Sequence, residues 1–241
     1  MESLAPSGPI AVVGMGCVFP GAADADTFWG NIRSKKDTTR EVPRGRWIFD
    51  PREALAPEVG PDKVYTTRGC FVDSFTLDPS GLHVDPSLLS QLDPLYHLAL
   101  EAGRQTWNDA RVGELDRERV GVVLAAIALP TDASSALTRE TLGRDFENRL
   151  SQLAGDDREL RAVFSELDAS AQTNPLNARV VGLPAALLAQ ALGLGGGSYT
   201  LDAACASSLY AVKLACDELR AGRSDAMLAG GVSRPECLYT Q

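Results

Sequence analysis

The sequence predicts an α/β protein in which a largely parallel or mixed sheet is covered by helices. Short apolar runs alternate along the chain with longer helix-prone stretches, and the runs are apolar throughout rather than at every second position. Strands with this composition are typical of sheets buried on both faces. The 241 residues, 44% of them hydrophobic, suffice for one large core or two small ones.

Four strands and four helices are predicted from periodicity, caps and turn residues. The strands are expected at 10–14, 120–129, 198–203 and 225–232. The helices are expected at 27–34 with Asp24 or Asp26 as cap, 86–111, 179–192 and 205–221. Residues 1–9 form a lead, 36–80 a long surface excursion and 131–173 a helical insertion on the surface. The three tryptophans, Trp29, Trp47 and Trp107, are expected to pack.

Charge and composition exclude several classes of function. The net charge of −9 argues against a general nucleic-acid role and against docking on anionic lipid. No apolar run is long enough to cross a bilayer, and the start lacks the basic region of a secretory signal. The sequence therefore predicts a reduced, cytoplasmic protein. Its cysteines have no metal-ligand spacing; they are Cys17, Cys70, Cys205, Cys216 and Cys237.

Cys205 is the candidate nucleophile because a buried strand gives way to a helix there. Backbone N–H groups at a helix N-terminus favour a thiolate and could stabilise an oxyanion on an attacked thioester. The neighbours of Cys205 are alanines and serines, which leave room for a substrate. A buried cysteine in a small-residue corner is an equal alternative on spacing alone. One helix face is predicted to point to the core, formed by Leu209, Val212, Cys216 and Leu219.

Three ordered segments resemble the β-ketoacyl synthases, the condensing enzymes of fatty-acid and polyketide assembly. The first is IAVVGMGCVFPGAADADTFWGNI at 10–32, and the second is LDPLYHLALEAG at 92–103. In the second, His97 stands where the family usually has arginine. The third is DAACASSLYAVKLACDELRAGRSDAMLAGGV at 202–232, which resembles the family's active-cysteine segment. The resemblance covers nearly all of residues 10–241.

This resemblance implies a thiolase-like layered αβαβα fold, of which residues 10–241 supply the N-terminal half only. Cys205 corresponds to the cysteine that accepts the acyl chain from the phosphopantetheine arm of an acyl-carrier protein. The thioester then condenses with a malonyl unit, with loss of carbon dioxide, to give a β-ketoacyl product. No metal and no bound cofactor is implied. The family is dimeric, and the strand at 198–203 would pair across the two-fold axis.

The sequence departs from the family pattern in two ways. It reads DAACASSL where modular polyketide synthases usually read DTACSSSL. The alanines of DAACASSL are closer to the synthases of polyunsaturated fatty acids. The family also needs two histidines from the second half of the domain. His83 and His97 lie outside any such motif and are expected to pack at the surface or in the core. Asp202 is expected to hydrogen-bond local backbone.

The chain alone is therefore expected to be catalytically incomplete, because the C-terminal half of the ketosynthase is missing. Two alternatives keep the fold. One is an inactive fragment that serves dimerisation or scaffolding. The other is a thiolase-like enzyme that acts on coenzyme A thioesters. The first segment begins close to Met1, so the ketosynthase is expected to be the first domain of its polypeptide. The sequence stops shortly after a strand with no helix to cover it, so a cut at that point is expected.

Overall fold

The structure, a computed structural model, describes residues 8–47, 50–58, 60–61, 63–72, 75–111, 114–154 and 173–234. Its helices are α1 (Ala25–Arg33), α2 (Pro51–Ala54), α3 (Pro86–Leu89), α4 (Pro94–Asp109), α5 (Asp132–Thr138), α6 (Arg144–Ala154), α7 (Pro184–Leu192) and α8 (Ser207–Arg220). Its strands are β1 (Arg40–Glu41), β2 (Arg68–Gly69), β3 (Val120–Ala126), β4 (Ser198–Leu201) and β5 (Ala226–Val232).

The centre of the molecule is a parallel sheet in the order β4-β3-β5. Val122 pairs with Ser198 of β4 on one side and with Leu228 of β5 on the other. Every residue of β3 is buried, as expected for the middle strand of a sheet covered on both faces. The predicted sheet, largely parallel or mixed, is therefore confirmed as a parallel one, and three of the four predicted strands lie in it.

Alternate residues of β3 face two different helical layers. Val123 and Ala125 pack with Ala211 of α8 on one face. Val122 and Leu124 belong on the other face to the main core, together with α4 and α7. Tyr96 of α4 is fully buried in that core, and its hydroxyl donates a hydrogen bond to the carbonyl oxygen of Leu176 at 2.9 Å. The result is a three-layer arrangement with the sheet in the middle.

The predicted strand at 10–14 is wrong. This segment lies outside the sheet, and Val12 is 81% exposed. It contacts instead the end of α4, where the Arg111 amide donates to the Val13 carbonyl oxygen at 3.3 Å. A strand needs a neighbouring strand for its backbone groups, and no described strand lies alongside this one. An apolar run alone could not reveal that.

The helix predicted at 86–111 is divided into α3 and α4. Pro94 disfavours helical backbone in the residue before it and cannot donate a hydrogen bond. Asp93 instead caps α4 by accepting a hydrogen bond from the Leu95 amide at 2.9 Å. The Asp93 amide donates to Asn177 Oδ1 at 2.8 Å, which fixes the junction to a distant segment.

Other elements differ from prediction mainly at their ends. Helix α7 begins at Pro184 rather than at 179, which suits proline at the first helical position. Asp24, rather than Asp26, caps α1. Strand β3 stops at Ala126. The insertion predicted at 131–173 contains α5, a π-helical turn at Arg139–Gly143, and α6. Residues 155–172 and Cys237 lie outside the described residues.

Where the structure describes it, the 36–80 segment holds only short elements. Strands β1 and β2 pair antiparallel, and Trp47 and Ala54 form a small buried cluster beside Val42 and Val64. Trp47 therefore packs as predicted. Trp29 on α1 is 59% exposed, so the prediction that it packs is wrong.

Candidate functional site

Cys205 lies exposed at the carboxyl end of β4, directly before α8. It is the middle residue of a 3-10 turn at Ala204–Ala206. In open α/β sheets, ligands bind outside the carboxyl ends of the strands. The strand–cysteine–helix junction predicted from sequence is confirmed, with the helix proper beginning two residues later than expected. Cys205 is exposed in this chain rather than buried in a small-residue corner.

The residue before the cysteine has an unusual backbone conformation. Ala204 has φ +49°, in the left-handed region that favours glycine. Such a conformation costs a residue with a side chain about 1–2 kcal/mol. It persists only where surrounding contacts hold it. The contacts come from Asp202 and Ser207.

Asp202 ties the turn to the end of the neighbouring strand. One carboxylate oxygen accepts a hydrogen bond from the Ala204 amide at 2.9 Å, and the other accepts from the Ala128 amide at 3.1 Å. These two backbone hydrogen bonds, Ala204 first, lower the pKa of the Asp202 carboxyl. The expected bond to local backbone is confirmed. The bond to Ala128, 74 residues away, was not foreseen.

Ser207 holds the same turn from the helix side. Its hydroxyl donates to the Ala204 carbonyl oxygen at 2.7 Å and accepts from the Ala203 amide at 2.8 Å. The residue is buried, so these bonds are protected from water. Sequence reasoning treated Ser207 only as a small neighbour of the cysteine. Its position at the first turn of a helix is the signal that could have identified it.

The predicted core face of α8 is wrong. Leu209 is 74% exposed and Val212 is 50% exposed, whereas Ala211 and Ala215 are buried against the sheet. A small side chain lets the helix approach β3 and β5 closely, so the larger side chains point to the other side. Val212 and Leu219 line an elongated groove of about 1180 Å³ between α8, β5 and the extended segment at 8–17. Cys216 is part of this lining.

A second, smaller cavity of about 470 Å³ lies at the carboxyl end of β5 and was missed by sequence reasoning. Its lining includes the side chains of Arg46, Arg68 and Arg234 together with Cys17 and Cys70. Burial, with Arg46 nearby, lowers the pKa of Arg234 to about 10. The three guanidinium groups make the cavity basic.

The two histidines hold the helical layer of α3, α4 and α7. His97 Nε2 lies 2.7 Å from the Leu89 carbonyl oxygen. The His83 backbone amide donates to the Ala191 carbonyl oxygen at 2.8 Å. The His97 side chain therefore packs within this layer, as predicted, whereas His83 is exposed at the surface. In the described part of the chain, no cluster of side chains is placed to hold a metal ion, and no helix is long and apolar enough to span a membrane.

Comparisons with known proteins agree on one family. Residues 7–239 match the family described as "Beta-ketoacyl synthase, N-terminal domain". A mycocerosic acid synthase-like polyketide synthase of Mycolicibacterium smegmatis is 30% identical over 93% of this chain and 9% of its own length. A phenolphthiocerol/phthiocerol polyketide synthase of Mycobacterium tuberculosis is also 30% identical, over 98% of this chain and 14% of its own.

Solved structures give the same result for the fold. "PfaC Keto synthase-Chain length factor" superposes with a TM-score of 0.80 at 36% identity, covering 94% of this chain and 24% of that chain. An oxazolomycin ketosynthase domain of Streptomyces albus has a TM-score of 0.67 at 23% identity, covering 93% and 34%. The chain thus spans a small part of its relatives, and the expected thiolase-like α/β fold is confirmed. The chain belongs to the β-ketoacyl synthase family and matches the N-terminal domain of its ketosynthases.

Proposed function

We propose that Cys205 is the acyl-accepting nucleophile of a ketosynthase that extends polyketide or fatty-acid chains. The observation that carries this proposal is the position of Cys205, exposed at the carboxyl end of the sheet on a left-handed turn before α8. Costly backbone conformations of this kind cluster at active sites. The other exposed cysteine among the described residues, Cys70, lies in the segment after β2 and has no such setting.

In the first step the Cys205 thiolate attacks the carbonyl carbon of an acyl thioester. A new carbon–sulfur bond forms at Cys205, the bond to the donor's sulfur breaks, and the donor leaves as a thiol after taking up a proton. Backbone N–H groups at the start of α8 are suited to stabilise the oxyanion in between. In the second step a malonyl unit loses carbon dioxide, and its carbanion attacks the Cys205 thioester to give a β-ketoacyl product and the free thiolate.

Completion of the second step is assigned to residues outside this chain. By family resemblance, two histidines polarise the thioester carbonyl and promote decarboxylation. The His97 ring contacts the Leu89 carbonyl oxygen, and His83 is exposed and contributes its backbone amide to α7. This chain is therefore proposed to load acyl groups but to need the rest of the ketosynthase for condensation.

The proposed partners follow from the same resemblance. The acyl donor would be the phosphopantetheine arm of an acyl-carrier protein, and the working unit a cytoplasmic homodimer paired through β4. No bound cofactor or metal is part of the proposal. The DAACASSL segment supports a system related to polyunsaturated-fatty-acid synthases rather than a modular one.

Acyl loading tests the proposal directly. The parent chain, Cys205→Ala and the matched control Cys70→Ala would each be incubated with an acyl thioester and weighed intact by denaturing mass spectrometry. We expect one acyl adduct on the parent and on Cys70→Ala, and none on Cys205→Ala. Adducts that depend equally on both cysteines, or none on any chain, would favour an inactive scaffolding fragment. Loading from acyl-coenzyme A but not from acyl-carrier protein would favour the thiolase-like alternative.

A further inference from the structure

The Cys205 turn is held by side chains on both sides of the cysteine. Asp202 precedes it and bonds the Ala204 amide, and Ser207 follows it and bonds the Ala204 carbonyl oxygen. The backbone N–H of this one residue is therefore held by a side chain, and its carbonyl oxygen accepts from the Ser207 hydroxyl as well as from the Ser207 backbone amide that closes the 3-10 turn. Ala204 is also the residue with φ +49°.

We infer that Asp202 and Ser207 are positioning residues, which keep Ala204 left-handed and thereby set the direction of the Cys205 thiol. The inference rests on the proposed function of Cys205 as acyl acceptor. The direction in which residue 205 leaves the backbone depends on the dihedral angles of the residue before it. If Ala204 relaxed to a negative φ, the thiol would swing away from its place over the carboxyl end of the sheet.

Asp202 adds a long-range constraint that Ser207 lacks. Its second oxygen accepts from the amide of Ala128, which follows the carboxyl end of β3. The position of the turn is therefore fixed relative to the central strand of the sheet as well as to its own helix. On the helix side, Ser208 lies against β5, because a side chain at Gly231 would bring its Cβ 3.4 Å from the Ser208 Cβ.

The lowered pKa of Asp202 supports this arrangement, because its causes are the same two backbone hydrogen bonds. The carboxyl is ionised at neutral pH and acts only as an acceptor. It is thus suited to hold backbone N–H groups. An asparagine would keep the shape but replace one acceptor oxygen with a donor, which cannot serve both amides.

The test compares acylation of Cys205 with its alkylation by iodoacetamide. The variants are Asp202→Asn, Ser207→Ala and the conservative Ser207→Thr. The control Asp85→Asn removes a comparable contact, from the Ser87 amide at 2.8 Å, at the start of α3. Acyl transfer needs a precise approach, so Asp202→Asn and Ser207→Ala should acylate about tenfold more slowly or worse. Alkylation by the small reagent iodoacetamide does not need one fixed approach direction. The alkylation rate of Cys205 relative to that of Cys70 should therefore change less than about threefold.

Rescue separates positioning from a general loss of structure. Adding Ala204→Gly to Asp202→Asn removes the cost of the left-handed conformation. The acylation rate of the double variant should be at least about threefold higher than that of Asp202→Asn alone. Ser207→Thr and Asp85→Asn should stay within about twofold of the parent. Thermal unfolding is measured for each variant together with these rates, to detect any general loss of structure. Acylation of Asp202→Asn and Ser207→Ala within about twofold of the parent would overturn the inference.

A failure of this inference can be told apart from a failure of the proposed function. If the parent takes up no acyl group at all, the proposed function falls, and the inference is judged by amide hydrogen exchange instead. Peptides covering 202–208 and residue 128 should then take up deuterium faster in Asp202→Asn than in the parent and Asp85→Asn. Unchanged exchange in those peptides would overturn the inference as well.

Discussion

Arg119 and Asp225 form a two-point ion pair at the amino ends of the two strands β3 and β5. Arg119 Nε donates to one carboxylate oxygen of Asp225 at 2.8 Å, and its Nη2 donates to the other at 2.7 Å. The Asp225 backbone amide also donates to the Arg119 carbonyl oxygen at 2.8 Å. The residues that follow, Val120 and Ala226, are the first pair of the β3–β5 ladder. The pair therefore marks the register of the sheet.

We expect Asp225→Asn to lower stability at neutral pH by a small amount that disappears in acid. The hydrogen bond from Arg119 lowers the pKa of the Asp225 carboxyl. A carboxyl with a lower pKa in the folded state stabilises the fold fully above its unfolded value, about 3.9. That contribution is lost as the pH falls through the folded value. The effect is small because the pair is partly exposed.

The measurement is urea unfolding of parent and variant at pH 7 and at about pH 3, which is below the ordinary aspartate pKa of about 3.9, so the difference should already be smaller there. The exposed Glu114, changed to Gln, is the control carboxylate. A parent–variant difference that grew in acid would contradict the assignment of Arg119 as the partner.

The glycines before β4 give a second prediction. A Cβ at Gly196 would lie 2.5 Å from the Val120 backbone carbon and oxygen, so that part of the chain would have to move. We expect Gly196→Ala to lower the free energy of unfolding by about 1–3 kcal/mol. Gly197→Ala is the matched control, because nothing lies within 4 Å of a Cβ there.

Chemical denaturation of the two glycine variants decides the point. The control should differ from the parent by no more than about 0.5 kcal/mol. Equal loss in both variants would mean that backbone freedom, and not contact with β3, explains the glycines.

The two faces of α8 give a third prediction. Ala211 is fully buried against the sheet, so Ala211→Leu should destabilise the fold by about 1–3 kcal/mol through overpacking. Leu209 is largely exposed, so Leu209→Ser should change the free energy of unfolding by about 0.5 kcal/mol or less. It should also reduce self-association, because exposed apolar surface promotes it.

Unfolding curves and light scattering at several protein concentrations test both faces of α8 together. A large loss of stability in Leu209→Ser, with tolerance of Ala211→Leu, would restore the helix orientation inferred from periodicity.

Local features of the site were predictable from the sequence because they depend on neighbouring residues. The apolar run before Cys205, the helix after it and the chemistry of a helix N-terminus all follow from local composition. The bond from Asp202 to the Ala204 amide spans two residues and was anticipated for the same reason. The family resemblance also follows from segments that can be read along the chain.

The sequence by itself determined the α/β class, three of the strands in the central sheet, the family and the place of Cys205 between strand and helix. Only the tertiary structure decided that 10–14 lies outside the sheet, since a strand exists only where another chain segment accepts its hydrogen bonds. Tertiary structure also decided which side of α8 meets the sheet, because the close approach of the two layers selects Ala211 over Leu209. It joined Asp202 to Ala128, and no local pattern can specify a contact between residues so far apart in sequence.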